Sequence, residues 1–318
     1  MPDRKPPDGG SLYRGPSAAP RDKRERERDR ERAAPTEHPP ERAIERGGDR
    51  ERRGPAGHAP VPDAAPPKPP QEQRIYGLNA CLALFAHRPQ ALRKVWLLES
   101  RIPALKPVLA HCVKLRLGYT IVEAEDLERL SGSAHHEGVV FGAMPVDELS
   151  LSDWLRDLAP GPQLAIWLDG VGNPHNFGAI ARSAAHFGAA GILLPKDSTL
   201  SLSGAAARVA EGGAEALSLV RLVRSDQALS QLASAGFTVA ATTVRGGTSL
   251  YSTPLPTRMV LLMGAEQTGV EAGLRQAATL KLLIPGTGAV ESLNVASATS
   301  VLLSEWRRQQ GQAPGPRR

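Results

Sequence analysis

Cysteine and aromatic residues are scarce in this chain, and long apolar runs are missing. Among 318 residues there are two cysteines, Cys81 and Cys112, with no metal-ligand spacing around them. That excludes a disulfide framework and a zinc ribbon, and it fits a reducing compartment in which both thiols are core residues. Aromatics make up 4% of the chain against 41% hydrophobic residues, so a sizeable core has to be built from Leu, Val, Ile and Ala. No stretch approaches the roughly 18 consecutive apolar residues of a membrane span. No apolar run follows the basic N-terminal residues, as a secretory signal would require. The expectation is a cytoplasmic protein. The net charge of +6 favours a polyanionic partner, although many basic proteins bind nothing acidic.

Composition divides the chain. Residues 1–73 are dominated by Arg, Glu, Asp and Pro, as in the alternating run from Arg21 to Arg32. With almost no large apolar side chains, this stretch cannot offset its ordering entropy and is expected to be a disordered tail. Both an RNA-tethering arm and a plain solvated linker fit it, because its charges largely cancel. From Arg74 the composition becomes globular. Residues 74–145 predict a small α/β domain, with strands at 94–98, 118–122 and 139–143 and helices at 80–86, 104–115 and 125–130. Residues 146–162 read as a linker carrying a short helix at 151–158.

Residues 163–310 repeat strand and helix to the end, leaving 311–318 as a second disordered tail. Strands are expected at 164–168, 191–194, 217–222, 237–243, 259–263 and 280–284. Helices are expected at 178–187, 203–211, 225–235, 270–277 and 292–309. Short apolar strands alternating with helices predict a mainly parallel sheet covered on both faces. Such sheets place ligand sites in the loops beyond the strands' carboxyl ends.

Three such loops carry candidate chemistry. The first, 168–183, is rich in turn formers and contains Asn173, His175, Asn176 and Gly178, with Arg182 one turn into the expected helix. A cation beside Asn176 would grip a phosphate or a ribose, and His175 is a possible general base; an ordinary loop with a surface Arg explains the same residues. The second, 264–269, brackets Glu266 between Gly264 and Gly269. It has neither the Walker Gly-Lys-Ser/Thr ending nor dinucleotide-fold glycine spacing. Its carboxylate would repel phosphates and suits a cationic or hydroxyl-bearing ligand. The third, 283–297, runs from a strand end through Gly286 and Gly288 to Ser292 and Asn294 at the start of the last helix. Unpaired backbone N–H groups there accept polar ligand groups, and Ser292 is also a natural helix cap.

In this order and spacing, the three loops resemble the signature motifs of the SpoU (TrmH-like) branch of the SPOUT RNA 2′-O-ribose methyltransferases. The resemblance covers about 74–309. It implies an α/β fold whose C-terminal part threads through a loop as a trefoil knot, and a homodimer with the knot helices at the interface. It also implies S-adenosylmethionine as cofactor and RNA, tRNA or rRNA, as substrate, with no metal. Residue by residue, it assigns cofactor binding to Gly264, Ile284 and Leu293. It assigns catalysis to Asn176, Arg182, Glu266, Ser292 and Asn294. The stretches 77–80 and 136–139 are similar to the family's ribosomal-protein-like substrate-binding domain, which gives the positive charge a phosphate-neutralising role. Two departures stand out: Asn173 where relatives usually have Asp, and Ala296 where Ser is common. The rival readings are a class I methyltransferase, for which Asp169 to Gly172 is only a partial glycine loop, and a non-catalytic RNA-binding protein that retains the fold.

Overall fold

The computed structural model describes residues 72–311; the expectations for the N-terminal tail before Glu72 and for the last residues lie outside them. The first unit contains β1 (Gln73–Tyr76), α1 (Leu78–His87), β2 (Leu92–Leu97), α2 (Ile102–Leu115), β3 (Gly118–Ile121), α3 (Ala124–Ser131) and β4 (Val139–Ala143). Its four strands lie in the order β1-β4-β2-β3, antiparallel except for the parallel pair β2–β3. Strand β1 is not evident from the sequence, where its four residues read as the approach to the first helix. Cys81 and Cys112 are both fully buried and unpaired.

The second unit is built from β5 (Leu149–Ser150), α4 (Leu151–Asp157), β6 (Gln163–Asp169), α5 (Pro174–Phe187), β7 (Gly191–Leu194), α6 (Gly204–Ala210), β8 (Ser218–Arg221), α7 (Ser225–Ser234), β9 (Thr238–Thr242), β10 (Thr248–Ser249), β11 (Arg258–Gly264), α8 (Ala272–Ala277), β12 (Leu280–Leu283) and α9 (Val295–Gln309). Eight strands form one sheet, ordered β10-β12-β9-β11-β6-β7-β8-β5, and every pairing is parallel. The two-residue strands β5 and β10 are too short to show a period in the sequence. Inside the expected linker, Leu149 and Ser150 pair with β8, and the helix that follows buries Leu151 and Trp154.

Strand alternation divides the core. On β6, Leu164, Ile166 and Leu168 join one cluster, with Phe177 and Ile180 of α5 and Leu302, Leu303 and Trp306 of α9. Ala165 and Trp167 face the other cluster, with Trp154 of α4, Leu232 of α7 and Leu274 of α8. Both faces are therefore covered, as a parallel sheet requires.

Helix boundaries near the loops depart from expectation in two places. Helix α5 starts at Pro174 rather than 178, because Asn173 caps it by accepting the His175 N–H at 2.8 Å and Pro174 occupies the first turn. Helix α9 starts at Val295 rather than 292. Its cap is Asn294, not Ser292: the Asn294 Oδ1 accepts from the Ala296 N–H at 2.9 Å and the Ser297 N–H at 3.3 Å. The far end of α9 is held by the connection preceding β11. Trp306 Nε1 donates to the Pro256 carbonyl at 2.9 Å, and Gln309 donates to Thr253 and accepts from the Leu255 N–H.

Candidate active site

Strands β6 and β11 are in register to their last residues, with Asp169 opposite Gly264, so the first two candidate loops leave the sheet side by side. Asp169 ties them together, its carboxylate accepting the Glu271 N–H at 2.7 Å. The second loop closes on itself. Gly269 N–H donates to the Ala265 carbonyl at 2.8 Å, and a side chain at Gly264 would overlap the backbone of Gly269 and Val270. Gly264 is thus required by the loop's own closure. Gly178 has an equally local reason: a methyl there would stand 2.5 Å from the Ala206 carbonyl oxygen, so its close approach is to α6.

Three side chains, one from each loop, meet beyond the strand ends. Asn294 Nδ2 donates to Glu266 Oε1 at 2.6 Å and to Asn176 Oδ1 at 3.1 Å, and Asn176 Nδ2 donates to Glu266 Oε1 at 3.1 Å. The Val295 N–H adds a longer contact to the same carboxylate oxygen at 3.4 Å. Glu266 Oε1 is therefore saturated with donors. Asn294 uses both ends of its amide, one on the triangle and one capping α9. The carboxylate holds the two asparagines and makes no hydrogen bond to Arg182.

Arg182 is not drawn into that triangle. Because α5 begins earlier than expected, Arg182 lies more than two turns along it. Six residues from Asn176, it points roughly 120° around the helix from it. It is exposed, with no hydrogen bond or ion pair among the described residues. Ser292 and His175 are likewise exposed, and neither side chain has a hydrogen-bond partner among those residues. Ile284 packs against the core, whereas Leu293 is 47% exposed and Val290 71%. From 286 to 293 the backbone makes no backbone–backbone hydrogen bond among the described residues. Its described contacts there are the Ala289 N–H to Thr287 Oγ1 at 3.4 Å and the Arg245–Glu291 pair at 3.6 Å.

Sequence reading missed Asp169 as the link between loops, although an acidic residue ending a strand is the signal for it. It also missed the role of Glu137, whose carboxylate accepts the Leu78 N–H at 3.0 Å. That bond joins the stretches 77–80 and 136–139 at one edge of the small sheet.

The molecule is thus a parallel α/β domain with a polar cluster across three strand-end loops, preceded by a small mixed-sheet domain. The chain matches the SpoU rRNA Methylase family over residues 163–304 and the RNA 2′-O ribose methyltransferase substrate binding family over 74–148. It belongs to the SpoU family of S-adenosylmethionine-dependent RNA 2′-O-ribose methyltransferases. It is 38% identical over 239 residues to the uncharacterized tRNA/rRNA methyltransferase YfiF of Escherichia coli O157:H7, covering 75% of this chain and 69% of that one. It is 35% identical over 243 residues to the 23S rRNA (guanosine-2′-O-)-methyltransferase RlmB of Pseudomonas syringae pv. tomato, covering 75% and 96%. Among solved structures, the AdoMet-bound rRNA methyltransferase of Sinorhizobium meliloti aligns with a TM-score of 0.62 at 27% identity, covering 75% and 87%.

Proposed function

We propose that the chain methylates a ribose 2′-hydroxyl of ribosomal RNA, with Asn176, Arg182, Glu266, Ser292 and Asn294 carrying the transfer. The observation behind the site is the Asn176–Glu266–Asn294 triangle, which places one polar group from each loop at a single point. The choice of ribosomal RNA rests on the 23S rRNA activity carried in the names of several relatives that this chain matches nearly end to end.

S-adenosylmethionine supplies an electrophilic methyl group on a sulfonium centre. The residues present fit it. The backbone of 286–293, free of backbone–backbone hydrogen bonds among the described residues, offers donors and acceptors to an adenosine, with Ile284 and Leu293 as apolar walls and the closed loop after Gly264 beside them. Glu266 adds negative charge, which favours a cation over a phosphate.

Arg182 acts electrostatically. A guanidinium stays charged at any ordinary pH, so it cannot serve as the base; it orients a phosphate and stabilises the alkoxide developing at the 2′-oxygen, while the hydroxyl proton leaves to solvent as the O–CH3 bond forms and the methyl–sulfur bond breaks. Ser292 and Asn294 orient the ribose hydroxyl, and Glu266 keeps Asn176 and Asn294 in place. The remaining rate gain comes from alignment of the reacting groups. The small domain holds the RNA, which links its activity to the chain's positive charge.

The family resemblance extends to a homodimer and to a knotted C-terminus. Two features support the threading: β12 inserts between β10 and β9, and the 253–256 connection grips the end of α9. Sedimentation at micromolar concentration tests the dimer. A single monomeric species there would remove that part of the reading. Isothermal titration with S-adenosylmethionine tests the site: binding is expected, and its absence would revive the RNA-binding protein without catalysis.

A further inference from the structure

Helix α6 and the 3₁₀ turn Gly213–Ala216 lie between α5 and the small domain, touching both at backbone distance. Toward α5, a methyl at Gly213 would stand 3.1 Å from the Arg182 Cα, and Gly178 admits the Ala206 carbonyl. Toward the small domain, a methyl at Gly204 would overlap the Arg74 carbonyl oxygen, and one at Gly212 would stand 2.6 Å from the Ala83 Cβ. Between these contacts Ala206, Ala210 and Ala214 are buried. Packing this tight leaves no slack, so a shift of the segment is felt on both sides.

Polar groups fasten the same segment to the small domain. Glu215, its side chain 4% exposed, accepts a fork from Arg88, at 2.6 Å from Nε and 2.9 Å from Nη2. Arg88 Nη1 donates to the Met144 carbonyl at 3.0 Å, which anchors it in its own domain. Arg208 Nε donates to the His135 carbonyl at 2.9 Å and stands 3.5 Å from Glu137, and Asn79 Nδ2 donates to Glu211 at 2.6 Å.

We infer that α6 and its following turn form a rigid coupler, and that Arg88 and Glu215 are positioning residues fixing Arg182 relative to the RNA. The inference rests on the roles given above to Arg182 and the small domain. The close packing fixes the separation of the two surfaces, and the polar pair adds a directional constraint to it. A forked guanidinium–carboxylate pair sets direction as well as distance. A shift of about 1 Å in a catalytic group costs on the order of 100-fold in rate, so the angle matters.

The test uses Glu215→Gln in the full chain, which keeps shape and removes charge. The expected result is a fall in kcat of about 10-fold or more, with KM for RNA and the Kd for S-adenosylmethionine within a few-fold. Native-state hydrogen exchange is expected to rise together at 204–216 and 174–183, and to stay unchanged in β11. Glu211→Gln, at the exposed contact that this segment makes with Asn79, is the milder version if the first variant does not fold. Unchanged kcat, or faster exchange at 204–216 with none at 174–183, overturns the coupling. The exchange readout needs no turnover. A wild-type chain without methyl transfer would sink the functional reading, while the coupling is judged on exchange alone.

Discussion

Arg182 and the asparagine–glutamate triangle make separable demands on the chemistry. Arg182→Ala is expected to abolish methyl transfer while S-adenosylmethionine binding stays within a few-fold, because the guanidinium makes no hydrogen bond or ion pair to the loop residues among the described residues. Near-normal turnover in that variant would remove the assignment. Asn294→Ala has a different signature, since the same amide caps α9. Thermal unfolding should show a loss of about 1 kcal/mol from the missing cap, together with impaired transfer; an unchanged melting temperature would argue against the capping geometry. The three loops were legible as candidates because they follow apolar strands, whereas the roles of their individual residues came from the family resemblance. Their contacts were not legible. Nothing in spacing says that Glu266 would spend one oxygen on two asparagines, or that Arg182 would stand clear of them once Asn173 and Pro174 start the helix early. Cys81 and Cys112 were legible as core residues from their isolation alone. Burial raises both thiols above their ordinary value, so the native chain should resist iodoacetamide at pH 8 and react at both sites once unfolded.

Among the elements, α9 carries the clearest pH dependence. Hydrogen bonds from Arg308, and then from Gln309, hold the Glu305 carboxyl down at about 2, against an ordinary value of 4.5. A carboxyl with a depressed folded-state value stabilises the native state above about 4.5, and that contribution is lost as pH falls toward about 2. Melting curves across this window should show the loss in the wild type and a smaller one in Glu305→Gln. Equal slopes would mean that Glu305 is not held this way. Long elements with a clear period, such as α2 and β6, were readable to within a few residues. The short ones were not: β1, β5 and β10 owe their existence to partners on distant strands, which no local pattern reports. The start of α9 was misplaced because Ser292 and Asn294 are both good caps, and the contact with Glu266, remote in sequence, selects Asn294.

For the whole molecule, the order of strands in the large sheet and the docking of the small domain lay beyond sequence reading, since both are set by contacts between distant segments. The fold class was readable because alternating strands and helices admit few other arrangements. Residues 72–311 contain both sheets and their cores, so deletion of residues 1–70 should leave a cooperative melting transition; its loss would show that the tail is structural. RNA affinity should fall linearly with salt on a log–log plot, as phosphate neutralisation requires. The most direct test is methyl transfer from labelled S-adenosylmethionine to RNA from cells lacking this protein, followed by nuclease digestion and nucleoside analysis. The predicted result is a labelled 2′-O-methylnucleoside in the ribosomal fraction. Absence of both incorporation and cofactor binding would contradict a methyltransferase built on these three loops.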